Sequence, residues 1–223
     1  MTTNDLYGKT MFRDRLEAGR KLGQMLKKLK LKNPIVLAIP SGGVPVGYEM
    51  AKRLGAPLDV IISKKIQLPF HTEAGFGAVS INGEVNLSFN KELLAQLGLT
   101  EEEIKKQTAK TIDLVKKRED LFRGDKPFPS LGNRDVIITD DGLASGHSML
   151  IAIKLIKKHK PNRIIVAVPT SSGSAPNLVK KEVDKFISLY VHPEHLPFAV
   201  ASAYHRWHDL SDEEVMEYLQ NLT

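Results

Sequence analysis

The chain has 223 residues, enough for one large α/β domain with an embellishment and ample for a sizeable core. It contains no cysteine, which excludes a disulfide framework, a thiolate metal site and a cysteine nucleophile. A formal net charge of +6 and a pI of about 9.3 favour polyanions, nucleic acid and phosphorylated sugars alike.

Met1–Arg15 lacks the apolar core of a signal peptide, and no run approaches the roughly 20 apolar residues that cross a bilayer. A soluble, cytoplasmic protein is expected. A helix is predicted over Arg13–Leu29, followed by a strand at Ile35–Ile39 whose unbroken aliphatic run suits a parallel sheet covered on both faces. A helix over Val44–Leu54 then leads to a second strand, Leu58–Ile62. The interval from about 66 to 132 is longer than a plain nucleotide-binding fold needs and reads as an insertion. Within it Ala78–Ile81 and Glu84–Leu87 flank Asn82-Gly83, a dipeptide that tolerates the positive φ of a tight turn, so a two-stranded arm is expected. Thr100 and Glu103 form a capping box ahead of a helix running to Phe122, with Ile104, Ile112, Val115 and Phe122 on one stripe.

Gly124, Pro127 and Pro129 end that helix, and Asp125–Gly132 reads as a connector. Strands are predicted at Val136–Thr139, Ile164–Val168 and Phe186–Val191, separated by helices at Ser148–His159 and Ala175–Glu182. Ser211-Asp212-Glu213-Glu214 repeats the capping signature before a last helix ending near Leu219. The alternation predicts one α/β domain over residues 1–223: a doubly wound, parallel five-stranded sheet with ligands at the carboxyl ends of its strands. The inserted hairpin and long helix embellish it, and a C-terminal segment over about 192–223 forms a hood or a packed tail.

Two loops carry the candidate chemistry. Asp140 and Asp141 end a strand and can accept hydrogen bonds from vicinal hydroxyls, while Gly142–Ser148 offers backbone N–H groups and two hydroxyls where a helix begins. Unpaired amides and the positive dipole end favour an anion there. That order suits a ribose phosphate; the alternative is a strand-end acidic pair capping the next turn. Pro40-Ser41-Gly42-Gly43-Val44, after the first strand, is a second such turn, and the two would face one crevice. Glu73 is the lone carboxylate between Lys65 and the hairpin, either a functional acid or a surface residue. No Asp/Glu/His cluster has the spacing of a protein-only metal cage. His192, His195, Phe198, Tyr204, His205, Trp207 and His208 supply either an aromatic platform for a flat ring or a tail with surface histidines. The lysine pairs at 27–28, 105–106, 116–117, 157–158 and 180–181 all fall on predicted helices and read as solvated faces.

Val136–Met149 resembles the loop that binds 5-phosphoribosyl 1-pyrophosphate (PRPP) in type I phosphoribosyltransferases, where an apolar strand runs into two acidic residues and a Thr/Ala-Thr-Gly-Gly-Thr-like turn. Ser145 and Ser148 keep the hydroxyls and Gly146 the close backbone approach; His147 departs, either narrowing the phosphate pocket or lying in solvent. The likeness extends nearly end to end to a bacterial and archaeal subgroup of phosphoribosyltransferase-like proteins. It rests on Phe12-Arg13-Asp14-Arg15, Ala18-Gly19, Gly42-Gly43-Val44-Pro45-Val46, Lys65, Glu73, Gly77-Ala78-Val79, Asp140-Asp141-Gly142, Tyr204 and Asp212-Glu213-Glu214-Val215.

The resemblance implies that Asp140 and Asp141 hold the ribose hydroxyls. Gly142, Leu143, Ala144, Ser145, Gly146, His147 and Ser148 would hold the 5′-phosphate, and Ser41, Gly42 and Gly43 the pyrophosphate, with a non-proline cis peptide expected at Ser41-Gly42. Lys65 and Glu73 would be catalytic, closing on a mobile loop that excludes water. Many relatives carry Arg or Lys where Ser41 stands, and Lys64 or Lys65 is the expected replacement. Magnesium would arrive on PRPP, assisted by Asp140 and Asp141. Ala144 stands where 6-oxopurine enzymes place a carboxylate, which disfavours those bases. The implied activity is transfer of the phosphoribosyl group to a nitrogen nucleophile, a nucleobase, by a homodimer without membrane or nucleic-acid partners. The rival is a non-catalytic PRPP- or nucleotide-binding regulator, with RNA binding as a further variant.

Overall fold

The computed structural model describes residues 11–222 apart from 70, 82–84 and 90; at 71–74, 81, 85–86, 88–89 and 91–92 the backbone alone is described. The Asn82-Gly83 turn therefore lies outside the described residues.

Strands β1 (Ile35–Ala38), β2 (Leu58–Val60), β6 (Asp135–Thr139), β7 (Arg163–Ser171) and β8 (Lys185–Val191) form a five-stranded sheet in the order β2-β1-β6-β7-β8. Every pairing is parallel. Both faces are covered, as the aliphatic runs require. On one face Ile35, Leu37, Val136, Ile138 and Val166 pack with Met149, Ile153 and Ile156 of α5 (His147–Lys158) and with Ala175 and Val179 of α6 (Ala175–Val179). On the other face the alternate residues Val36, Ile137 and Ile165 pack with Leu22 and Leu26 of α1 (Arg15–Leu26) and with Val46 and Met50 of α2 (Gly43–Leu54).

The insertion leaves the sheet edge directly after β2. Strands β3 (Ile62–Leu68), β4 (His71–Ile81) and β5 (Val85–Phe89) make an antiparallel sheet in that order, followed by α3 (Lys91–Leu97) and α4 (Glu101–Arg123). The expected hairpin is β4–β5, and β3 adds a third strand. Its Ile62, Ile66 and Leu68 are buried on one face, a pattern that the exposed Lys64 on the same face interrupts and the polar Ser-Lys-Lys run hides. Where a closing loop was expected, Lys65 and Glu73 lie on β3 and β4.

Thr100 and Glu103 make the capping box of α4, and Val115 and Phe122 bury its apolar stripe against Ile66, Phe76 and Val79. Arg123 ties α4 to the main sheet. Its Nη1 donates to Asp59 Oδ2 (2.6 Å), its Nε to Glu119 Oε1 (2.7 Å) and its Nη2 to the carbonyl of Val60 (2.7 Å). The final helix, α7 (Asp212–Gln220), carries the second capping box and packs on α2 and α4.

Candidate functional site

The parallel register of β1 and β6, with Ala38 opposite Thr139, sets the loops that follow these strands side by side. Two glycines let them meet. A Cβ on Gly43 would lie 2.9 Å from both the Asp140 Cα and the Thr139 carbonyl oxygen, and one on Gly42 would lie 1.9 Å from Asp141 Oδ2. Any side chain at these positions would push the two loops apart. The expected non-proline cis peptide is present one bond earlier than predicted, at Pro40-Ser41 rather than Ser41-Gly42. Gly42 takes helical angles (φ −60°, ψ −34°) as the N-cap of α2.

Asp140 and Asp141 stand at the centre of this junction. Asp140 Oδ1 accepts the Asp141 N–H at 2.8 Å, and Asp141 Oδ2 accepts from Arg15 Nε at 2.9 Å. Burial, then the adjacent Asp141 charge, pushes the Asp140 carboxyl well above its ordinary value. Burial also raises Asp141, with the Arg15 guanidinium pulling the other way. The C-terminal segment wraps the pair. Arg15 Nη1 donates to the carbonyl of His208 at 2.9 Å and its guanidinium lies 3.8 Å from the Trp207 ring centroid. The Tyr204 hydroxyl donates to the carbonyl of Asp141, and Val200 packs against Gly142.

The loop from Gly142 is stitched to the end of β7. The Leu143 N–H donates to Thr170 O, the Ser172 N–H to Leu143 O, both at 2.9 Å, and Ser172 Oγ to the carbonyl of Ala144 at 2.6 Å. Gly146, at φ +78°, makes the left-handed turn that opens α5, and no side chain caps the helix. Leu143 and Gly146 are buried, whereas Ala144, Ser145, His147 and Ser148 are exposed around the helix mouth.

Sequence reasoning missed two arginines here. Arg15 belongs to the quoted Phe12–Arg15 motif, but its ion pair with Asp141 spans 126 positions. Arg118 of α4 donates from Nη2 to Ser41 Oγ at 2.7 Å and to Asp212 Oδ1 at 3.0 Å. Lys64, one expected replacement for a cation at Ser41, is exposed on β3, while Lys65 lays its stem over Gly75. Glu73 sits on β4, and its side chain is outside the described residues. The aromatic C-terminal stretch divides: Tyr190, His192 and Phe198 form one group at the end of β8, while Tyr204 and Trp207 flank Arg15 and Phe12 packs against Tyr204. Among the described residues no group of three His, Asp or Glu could hold a metal ion. Nor is any described helix long and apolar enough to cross a membrane.

A family model described as the phosphoribosyl transferase domain matches residues 14–198. Two proteins from strains of Mycobacterium tuberculosis, provisionally named as phosphoribosyl transferases, are each 32% identical over 209 residues, covering 94% of this chain. The chain spans about half (46%) of the length of these curated relatives. The crystal structure of the protein TT1426 from Thermus thermophilus is similar at 34% identity and a TM-score of 0.78, covering 95% of this chain and 98% of that one.

Proposed function

Because the chain belongs to the phosphoribosyl transferase domain family, we propose that it transfers the 5-phosphoribosyl group of PRPP to a nitrogen nucleophile, a nucleobase, and releases pyrophosphate. The observation that carries this reading is the seating of Gly42 and Gly43 against Asp141 and Asp140. One crevice thereby joins an uncapped helix mouth, two carboxylates and a second glycine turn, in the order phosphate, sugar, pyrophosphate.

In this assignment Gly142–Ser148 and the first turn of α5 bind the 5′-phosphate, Asp140 and Asp141 accept from the ribose hydroxyls, and Ser41–Gly43 bind the pyrophosphate. The nucleophile's nitrogen lone pair forms the bond to the anomeric carbon, while the carbon–oxygen bond to pyrophosphate breaks with its electron pair, inverting that carbon. Lys65 and Glu73 act from β3 and β4, Glu73 by taking the proton of the incoming nitrogen. Positioning and electrostatics supply most of the rate. Magnesium bound to PRPP, when present, neutralises the departing pyrophosphate. The donor set fits a metal held chiefly by substrate oxygens, since among the described residues the Asp140–Asp141 pair supplies the carboxylates there. Arg15 neutralises part of that pair, which keeps two adjacent carboxylates tolerable beside an anionic sugar. Ala144 supplies no carboxylate to a 6-oxopurine, so adenine-like or pyrimidine acceptors fit better. A cytoplasmic homodimer completes the reading, in keeping with a cysteine-free chain that a reducing compartment suits.

The test is calorimetric titration of PRPP with magnesium into wild type and an Asp140→Asn/Asp141→Asn variant. Micromolar binding by wild type, lost in the variant, is expected; pyrophosphate release in a screen of nucleobases then identifies the acceptor. No heat with wild type overturns the assignment.

A further inference from the structure

We infer that Arg118, reaching in from the inserted helix α4, is the cation that binds the pyrophosphate group at the Ser41–Gly43 loop. The inference rests on the PRPP reading above and adds to it a residue from outside the parallel-sheet scaffold.

The loop itself carries no charge, for it reads Pro40-Ser41-Gly42-Gly43-Val44. It also lies against a carboxylate, since Gly42 touches Asp141. A multiply charged anion placed there is repelled by the acidic pair unless a cation stands on the opposite side. Arg15 does not serve: its Nε is on Asp141, its Nη1 on the carbonyl of His208 and its face on Trp207. Arg118 does touch the loop, at the Ser41 hydroxyl. Its side chain is 33% exposed, and its Cζ lies 5.2 Å from the Phe122 ring centroid, so the guanidinium sits over that ring.

One nitrogen of the fork makes both observed bonds, Nη2 to Ser41 Oγ and to Asp212 Oδ1. Nε and Nη1 remain to meet phosphate oxygens in the paired geometry that suits a guanidinium. Asp212, held at the first turn of α7 by the Ser211–Glu214 capping box, is the counter-ion that a pyrophosphate would displace. The insertion thus contributes charge to the leaving-group end of the crevice.

The test titrates magnesium pyrophosphate, magnesium PRPP and ribose 5-phosphate separately into wild type, Arg118→Ala and Asp212→Asn. Arg118→Ala should weaken pyrophosphate and PRPP by about 10- to 100-fold, the range of a charged hydrogen bond, and leave ribose 5-phosphate unchanged. Asp212→Asn, which keeps Arg118 and removes its competitor, should tighten pyrophosphate by roughly threefold. Unchanged pyrophosphate affinity in Arg118→Ala, equal weakening of all three ligands, or weaker pyrophosphate binding in Asp212→Asn would each overturn the assignment while leaving the PRPP reading intact. Failure of wild type to bind PRPP would overturn that reading, and this assignment with it.

Discussion

The five-stranded sheet and the insertion that follows β2 differ in how much charge joins them to their neighbours. In the sheet, all residues of β1 and β6 are buried, and helices on both faces meet them through aliphatic contacts. The insertion shares an apolar cluster around Phe76 and Phe122 with Ala38, Val60 and Val44 of the scaffold, and charged groups add to this attachment: Arg123 to Asp59, and Arg118 to the Ser41 hydroxyl. An apolar interface tolerates exchange of one hydrophobe for another, whereas a buried ion network fails when one member goes. The scaffold of the site is therefore robust, whereas the charged part of the insertion's attachment is brittle.

The severest way to break that contrast is Arg123→Ala. It strands Glu119 and Asp59 near one another without their cation, at an expected cost of about 3–5 kcal/mol in denaturant unfolding. A loss under about 1 kcal/mol would mean that the insertion docks by apolar burial, like the helices on the main sheet.

A smaller change probes the sheet's own polar fastening. Asp135, at the start of β6, is raised by burial, but hydrogen bonds from Arg163, the Lys32 amide and Asn162 outweigh this and hold it at about 2 against an ordinary 3.8. A depressed carboxyl stabilises the folded state above its unfolded value, and that contribution disappears as pH falls from 3.8 through about 2. Asp135→Asn should therefore cost about 2 kcal/mol at neutral pH, with the mutant and wild-type curves converging near pH 2. Glu119 has the opposite sign. Burial raises it above 4.5 in spite of Arg123, so its contribution is complete below 4.5 and is lost as pH rises through the raised value. Glu119→Gln should flatten that alkaline-side decline, and an unchanged slope in the urea-unfolding pH profile would show that Arg123 neutralises Glu119 fully.

The same division decides what could be read from the sequence. The central strands β1, β6 and β7 announce themselves because burial on both faces leaves mostly aliphatic runs, and both capping boxes sit where the Thr100–Glu103 and Ser211–Glu214 spacing puts them. Strand β3 was hidden because lysines at 64 and 65 interrupt its alternation and Pro69 follows. The acidic pair and the helix mouth were legible as a contiguous loop. Arg15 and Arg118 were not, since each reaches the site across a long stretch of chain that spacing does not measure. One signal was available in α4. Lys105, Lys106, Lys110, Lys116 and Lys117 are all exposed, while its two arginines, 118 and 123, both turn inward to form multiple hydrogen bonds. Lysine keeps its hydration, and the guanidinium's fork is suited to paired sites.

The mildest perturbation asks whether the two regions unfold separately. Thr100→Ala removes the cap that accepts the Glu103 amide, at an expected cost of about 1 kcal/mol. Because Arg118 lies about 27 Å along the helix from Thr100, fraying of the first turn should leave the guanidinium in place. If the insertion opens as its own unit, hydrogen exchange of the α4 amides should quicken by roughly fivefold, as 1 kcal/mol implies, while β1 and β6 keep their protection. Pyrophosphate affinity should also stay at the wild-type value, since the bond to Ser41 is made by the end of α4 that Arg123 anchors. Equal acceleration in α4 and β6 would instead make sheet and insertion one cooperative unit. The charged contacts would then be ordinary parts of a single core rather than a separate fastening that brings Arg118 to the crevice.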